Sequence, residues 1–240
     1  MDNMNQMNQY SFDSSYADSR LTLNQYISRT FGWMFVGLMV TFLLAWAMSA
    51  SGAVFYLFYA VPQIAIILLI AEVAVVLIFS ARIHKNSVWV SRILFLVYSV
   101  LNGVVFSVYF VLFEVTSLIA IFGLTALFFG AFALYGRFTK TDLSRLRPLL
   151  VGGLIFLLVA ALLSFFIRME ATERIICMVG IVVFLCFTAY DTQKIKANYN
   201  YFYHDAVMLH KASIYSALEL YLDFINLFLY LLRFMGRSKN

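Results

Sequence analysis

Charged residues are scarce in this chain. Asp, Glu, Lys and Arg make up only 12% of its 240 residues, whereas about a quarter is usual in soluble proteins. Hydrophobic residues reach 63%, against roughly 45–50% in a typical soluble chain. So little polar surface cannot cover a soluble fold of this size. The composition therefore indicates an integral membrane protein surrounded by the lipid bilayer.

Proline and cysteine are also scarce, with 2 residues of each. Cys177 and Cys186 stand nine residues apart, which is about 13 Å along a helix and too far for a disulfide between them. No Cys or His stands at zinc-ligand spacing. The three histidines, His84, His204 and His210, fall in predicted loops, and we expect them to be solvated.

Seven apolar stretches, each long enough to cross about 30 Å of hydrocarbon, follow one another from Phe31. Because lipid offers no hydrogen-bond partner to backbone amides, each stretch must be helical. The chain is therefore predicted to be an all-α membrane protein, a seven-transmembrane-helix bundle over residues 30–236. Residues 1–29 are predicted to form a disordered cytoplasmic tail, and residues 237–240 a short basic tail. The predicted spans are 31–50, 61–81, 92–112, 117–136, 149–167, 174–192 and 213–235.

The distribution of Lys and Arg predicts the orientation. With the amino terminus in the cytoplasm, 12 of the 17 basic residues lie on the cytoplasmic side and 5 on the other, as the positive-inside rule favours. This bias also explains the net charge of +5, and no basic run interleaved with aromatics indicates nucleic-acid binding. Seven crossings place the basic carboxyl tail outside, against the same rule. The sequence leaves open whether the last segment spans fully or re-enters, although its length favours a full span.

Four acidic residues fall within predicted spans: Glu72, Asp191, Glu219 and Asp223. An ionised carboxylate at the centre of a bilayer costs at least about 2.5–3.5 kcal/mol, so such residues face a bundle interior or a cavity and usually have partners. These four are the main functional signal in the chain. The alternative interpretation is ordinary helix packing, in which neighbouring helices supply the hydrogen bonds.

The last predicted span carries a polar seam flanked by apolar residues. Its members recur every three or four residues, which places them in one stripe along a helix. Such a stripe is expected of a helix that lines a water-accessible path, or of a packed seam satisfied by neighbouring helices. The seam consists of Ser216, Glu219, Asp223, Asn226, Tyr230 and Arg233.

Asp191 lies near the cytoplasmic end of the sixth span, and Asp223 lies some ten residues into the seventh. The two could therefore meet in the cytoplasmic half of the bundle. Two carboxylates that share a low-dielectric site cannot both ionise easily and titrate as a unit. Such a pair suits a proton sensor, a divalent-cation ligand or an acid/base catalyst. Arg82, at the cytoplasmic end of the second span, is the best-placed cation to neutralise one of them.

Six strings in the chain resemble those of the Bax inhibitor family, in its bacterial form. The last two are the most specific, because they contain Asp191 and Asp223. The strings are YISRTFGW (26–33), AEVAVVLIFSARIH (71–84), YSVLNG (98–103), YGRFTKTD (135–142), YDTQKI (190–195) and LYLDFINLFLYLLR (220–233).

The resemblance implies a seven-helix fold of the bacterial inner membrane in which the last helix is central and wrapped by the other six. It also implies a pH-sensitive calcium leak channel. In that channel the aspartate pair, Asp191 and Asp223, is the proton sensor, and Arg82 latches the closed form. Glu219 departs from the pattern, since a small or neutral residue is expected there.

The leading hypothesis is therefore a passive, proton-gated calcium pathway. Calcium is the transported ion, protons regulate it, and no cofactor is expected. Asp191, Asp223 and Glu219 are the predicted transient calcium ligands. The predicted ion pathway is formed by Glu219, Asn226 and Glu72.

Two other classes of function compete with this hypothesis. An intramembrane aspartyl protease would carry Gly-x-Gly before its second aspartate, whereas Asp223 follows Leu220-Tyr221-Leu222, so we do not expect an enzyme. A non-conducting protein that modulates a membrane protease or another membrane partner is the main alternative. Calcium flux by the purified protein alone would discriminate between the two.

Overall fold

Each of the seven predicted spans overlaps a long apolar helix of the computed structural model, which describes residues 21–82, 85–163 and 170–236. No strand occurs among these residues, and the prediction of an all-α protein with seven spans is confirmed. Residues 1–20 of the predicted amino-terminal tail and all of the predicted tail at 237–240 lie outside the described residues. Residues 164–167 of the fifth predicted span also lie outside them. The α-helices are α1 (Leu23–Ala50), α2 (Ala53–Ala60), α3 (Ile64–Ala81), α4 (Val88–Leu112), α5 (Val115–Phe138), α6 (Arg147–Leu163), α7 (Glu170–Tyr201) and α8 (Ala206–Met235), with a 3₁₀ turn at Leu143–Leu146.

The first helix begins earlier than predicted, because a capping box starts it. The Gln25 amide donates to Thr22 Oγ1 at 3.3 Å, and the Thr22 amide donates to Gln25 Oε1 at 2.9 Å. These reciprocal bonds satisfy amides that have no partner within the helix. Residues 23–29, predicted as part of a disordered tail, are therefore helical.

A short helix that was not predicted separates the first two spans. Gly52 adopts a left-handed conformation with φ of 73°, which side chains other than glycine disfavour, and this turn ends α1. Helix α2 follows with 8 residues, about 12 Å at 1.5 Å per residue. It is too short to cross the bilayer, and the second span begins at Ile64 rather than at residue 61.

The last helix also begins earlier than predicted. The Met208 amide donates to Asp205 Oδ1 at 2.9 Å, and this cap starts α8 at Ala206. His210 and Lys211 thus lie inside the helix and are buried, with 2% and 6% exposed. The expectation that His210 is solvated is wrong. His204 is exposed, as expected, whereas His84 lies outside the described residues.

Helix α8 is the most buried of the seven helices that are long enough to span. It is 30 residues long, about 45 Å, and none of its residues from 206 to 232 is exposed. The described chain divides into two units, and α8 contributes to both. The first unit is Met1–Val111 with Ile195–Leu218, and the second is Leu112–Lys194 with Glu219–Asn240.

In the first unit, polar and aromatic contacts cover the amino-terminal part of α8. Ser213 and Thr30 of α1 share a hydrogen bond of 3.1 Å between their hydroxyl oxygens. The Tyr215 ring stacks on Phe79 of α3, with ring centroids 5.8 Å apart.

In the second unit, aromatic rings cover the carboxyl-terminal part of α8. Phe224 packs against Phe122 of α5 with ring centroids 5.2 Å apart, and Tyr230 stacks on Phe184 of α7 at 5.8 Å. A Cβ at Gly180 of α7 would lie 2.6 Å from the Tyr230 ring, so the glycine leaves room for this contact. Helix α8 is thus covered within each unit, as expected of the helix that the resemblance makes central.

A second glycine sets the distance between α5 and α7. A Cβ at Gly136 would collide with the backbone carbonyl of Ala189, and backbone atoms cannot rotate away as a side chain can. Ala189 precedes Asp191 by two residues, so this contact fixes the part of α7 that carries the aspartate.

We expect Gly136→Ala to lower the thermal stability of the detergent-solubilised protein. Overpacking of this kind typically costs about 1–3 kcal/mol, which exceeds the gain in helix propensity from Gly to Ala. A melting curve monitored by size-exclusion chromatography measures the effect. The matched control is Gly130→Ala in the same helix, where nothing lies within 4 Å of the added Cβ. A stability of Gly136→Ala equal to that of the control would contradict the proposed α5–α7 contact.

Candidate functional site

Helix α7 presents a carboxylate and an ammonium group on one face. Asp191 and Lys194 stand three residues apart, a spacing that makes helical side chains neighbours. The Lys194 Nζ atom lies 3.9 Å from Asp191 Oδ1 and 2.6 Å from Glu219 Oε1 of α8. The shorter contact is a hydrogen bond that Lys194 donates. Lys194 therefore links α7 to α8.

Helix α8 adds two carboxyl groups, Glu219 and Asp223, four residues apart on one face. The side chains of Asp223 and Asp191 lie close enough to interact directly. Both aspartates are buried, with 4% of Asp223 and 8% of Asp191 exposed. The structure thus brings the two predicted aspartates together. We refer to Asp191, Lys194, Glu219 and Asp223, all in the second unit, as the acid cluster.

A proton would allow the two aspartates to form a hydrogen bond with each other. Ionised carboxylates only accept hydrogen bonds, so a bond between two carboxyl groups requires that one of them is protonated. With that proton in place, the three carboxyl groups of the acid cluster carry two negative charges, and Lys194 compensates one of them. The side chains of Asp191 and Glu219 are only 10% and 17% exposed. Like charges in such poorly hydrated positions repel more strongly than in water.

One acceptor in the acid cluster is left over. The Oδ2 atom of Asp223 is buried and has no hydrogen-bond partner among the residues that the structure describes. A buried acceptor without a partner costs about 1–3 kcal/mol. The acid cluster can therefore bind a further proton, a water molecule or a cation at this oxygen.

The predicted calcium ligands are neighbours, but they do not form a metal site in this conformation. Within the described ranges, no group of three or more His, Cys, Asp or Glu is arranged to hold a metal ion. A positive charge is nevertheless present, because the Lys194 ammonium binds Glu219 and lies near Asp191. The ammonium group provides the compensation that a bound cation would otherwise provide.

Gln193 anchors α7 through two hydrogen bonds, a role that sequence reasoning did not predict. Its Nε2 donates to the Thr141 carbonyl at 2.8 Å, and its Oε1 accepts from the Leu143 amide at 2.8 Å. These bonds attach the loop after α5 to the helix that carries Asp191 and Lys194. Two of the six strings, YGRFTKTD and YDTQKI, therefore meet at Gln193.

Asp142 shapes the same loop. Its Oδ1 accepts from the Ser144 amide at 2.9 Å. Hydrogen bonds from the side chain and backbone of Ser144 hold the pKa of Asp142 below its ordinary value. A carboxyl group with a lowered pKa stabilises the folded state above its unfolded-state pKa and loses this contribution as the pH falls through its folded-state pKa. Asp142 therefore supports this turn at neutral pH.

The other predicted site residues lie on α3, at its carboxyl end or on α8. Arg82 ends α3 in the first unit and is exposed, and its role as a latch stays a prediction. Glu72, also on α3, is partly buried near Tyr98 of α4, and its Oε1 atom has no partner among the described residues. Asn226 of α8 donates to the carbonyl of Leu222 in its own helix at 2.8 Å. A pathway along these residues stays a prediction.

Sequence reasoning missed Lys194, which it counted only as a charge that indicates orientation. The spacing of three residues from Asp191 was a usable signal, since it places both on one face of a helix. The pairing with Glu219 was not visible, because it depends on how α7 and α8 are rotated about their axes. Glu219, the acid that departs from the family pattern, thus has a partner, since Lys194 Nζ lies 2.6 Å from its Oε1 atom.

The fold and the acid cluster define a class: a multi-pass helical membrane protein with two neighbouring carboxyl groups buried between its last two spans. The family model described as "Inhibitor of apoptosis-promoting Bax1" matches residues 23–240. The chain belongs to this Bax inhibitor-like family, and the resemblance seen in the sequence is confirmed.

Similar proteins occur in several bacteria. The chain is 40% identical over 234 residues to the inner membrane protein YbhL of Escherichia coli (strain K12), which covers 97% of this chain and 100% of that protein. It is 33% identical over 220 residues to an uncharacterized protein of Borreliella burgdorferi. The aligned residues cover 92% of this chain and 95% of that protein. The similarity to YbhL and the seven apolar helices support a multi-pass protein of the inner membrane.

We expect Gln193→Leu to release the loop between α5 and α6. The Leu143 amide should then exchange its hydrogen roughly two- to tenfold faster, since a hydrogen bond contributes about 0.5–1.5 kcal/mol net. Hydrogen exchange followed by mass spectrometry measures this. The control is Gln63→Leu, at an exposed position where the Gln side chain makes no capping hydrogen bond. Unchanged exchange at Leu143 would show that Gln193 does not hold the loop.

Proposed function

We propose that this protein is a passive calcium leak of the inner membrane, and that the proton shared by Asp191 and Asp223 controls it. The observation that supports this proposal most strongly is the close approach of two buried carboxyl groups, one on α7 and one on α8. A purely structural contact between two helices does not need ionisable groups in a bilayer, where they are expensive.

The proton determines which state the acid cluster favours. While the proton is present, it bridges Asp191 and Asp223 and holds α7 against α8. Once it is lost, two adjoining carboxylates repel each other in a place of low polarity, and water and cations become the available compensation. Carboxylate oxygens are the ligands that calcium prefers. We therefore expect calcium flux to rise as the pH rises through the titration of the pair.

The remaining parts of the proposal follow the sequence predictions. Calcium passes along Asp223 and Glu219, with Asn226 and Glu72 as further members of the pathway and Arg82 as the latch of the closed form. No cofactor and no catalytic step are required. The alternative is a protein that conducts nothing and acts on a membrane protease or another membrane partner.

We expect Asp191→Asn and Asp223→Asn each to abolish the pH dependence of calcium flux, because an amide can hydrogen-bond to the remaining carboxylate without the shared proton. Flux into liposomes containing the purified protein and a calcium-sensitive dye measures this across a pH series. The matched control is Asp205→Asn, an exposed position where asparagine can still cap α8.

Two results would count against the proposal, and they differ. If both aspartate variants keep the flux and pH dependence of the unmodified protein, the gating mechanism is wrong. If the unmodified protein carries no calcium at any pH, the non-conducting alternative is favoured.

A further inference from the structure

We propose that Lys194 is a tethered cation that occupies the acid cluster and competes there with a free divalent cation. This inference rests on the proposed calcium function and deepens it, because it concerns how the same carboxylates bind and release calcium.

The ammonium group of Lys194 lies near carboxyl groups of both α7 and α8. Lys194 Nζ lies 2.6 Å from Glu219 Oε1 and 3.9 Å from Asp191 Oδ1, and it also acts electrostatically on Asp223. One positive charge thus serves carboxyl groups from two helices. A divalent cation that used these carboxylates would have to take the place of the ammonium group, since both need the same oxygens.

Lys194 lowers the negative charge that the acid cluster offers to a cation. Once the aspartate pair has lost its proton, the three carboxylates carry three negative charges, and Lys194 leaves two of them uncompensated. Without Lys194, all three negative charges would attract a divalent cation. Ligand charge is one of the main factors that set calcium affinity. Lys194 therefore keeps the affinity low, as a leak requires if the ion is to depart again.

The Lys194 side chain is more exposed than the carboxyl groups that it contacts. The Lys194 side chain is 31% exposed, about twice as much as Glu219 at 17% and three times as much as Asp191 at 10%. A lysine ammonium is a point charge on a flexible four-carbon stem and can withdraw toward water while its stem stays in place. The buried Oδ2 of Asp223, which has no partner in the described part of the chain, is then available to the ion. Displacement of Lys194 thus needs only a change in its side-chain conformation.

Equilibrium calcium binding to the purified full-length protein tests this inference. We expect Lys194→Met to bind calcium on the order of tenfold more tightly than the unmodified protein at mildly alkaline pH. Radioactive calcium and equilibrium dialysis in detergent give the affinity without requiring conduction. The matched control is Lys196→Met, which removes the same charge two residues further along α7 and is expected to leave the affinity unchanged.

Two further variants separate competition from a general effect of charge. Lys194→Met combined with Glu219→Gln removes one positive and one negative charge, so its calcium affinity should return close to that of the unmodified protein. Lys194→Arg keeps the charge and can bind Glu219 through two hydrogen bonds, so its calcium affinity should be equal or lower. Lys194→Gln replaces Lys194→Met if the latter does not yield a monodisperse protein.

The inference is overturned if the neutral variants at position 194 bind calcium no more tightly than the unmodified protein, or if Lys196→Met gains as much affinity as they do. These results are distinguishable from failure of the proposed function. The proposed function fails when liposomes with the unmodified protein show no calcium flux, whatever the binding measurement gives.

Discussion

Charge in an apolar bundle must be compensated where it stands, and the second unit of this protein is organised around that requirement. Three carboxyl groups lie between α7 and α8, where hydration is poor. The Lys194 ammonium binds one of them at 2.6 Å, and in the proposed function a shared proton compensates a second. Neither source of compensation would be permanent, since a proton can dissociate and a lysine side chain can withdraw. The proposed response of these carboxylates to protons and to cations depends on this.

Such a cluster works only if the helices that carry it are held in place. Gly136 allows α5 to approach the α7 backbone at Ala189, and Gly180 makes room for the Tyr230 ring between α7 and α8. Gln193 attaches the loop after α5 to the end of α7 by hydrogen bonds to Thr141 and Leu143. On α7, Gly180 and Ala189 precede Asp191, and Gln193 lies between Asp191 and Lys194. The residues of the YDTQKI string thus have different roles. Asp191 and Lys194 bear the charges, and Gln193 positions the helix.

The spans and the two aspartates could be predicted from the sequence because both follow from the cost of polar groups in lipid. Seven apolar stretches and few charges required a helical bundle, and an acid such as Asp223 inside a stretch required a partner. Helix ends were less predictable. The Thr22–Gln25 capping box is visible in the sequence, but it lies in a polar segment that was predicted to be a disordered tail. The burial of His210 depended on α8 starting at Ala206, and the Lys194–Glu219 pair depended on the rotation of two helices, which no local pattern encodes.

The central claim is that Asp191 and Asp223 share one proton. Infrared difference spectroscopy of the protein in lipid tests it directly, because a protonated carboxyl group has a carbonyl band separate from that of a carboxylate. The account predicts such a band in the unmodified protein, its loss as the pH rises, and its absence from both Asp191→Asn and Asp223→Asn. A band that persists unchanged in both variants, or that is missing from the unmodified protein at every pH, would contradict it.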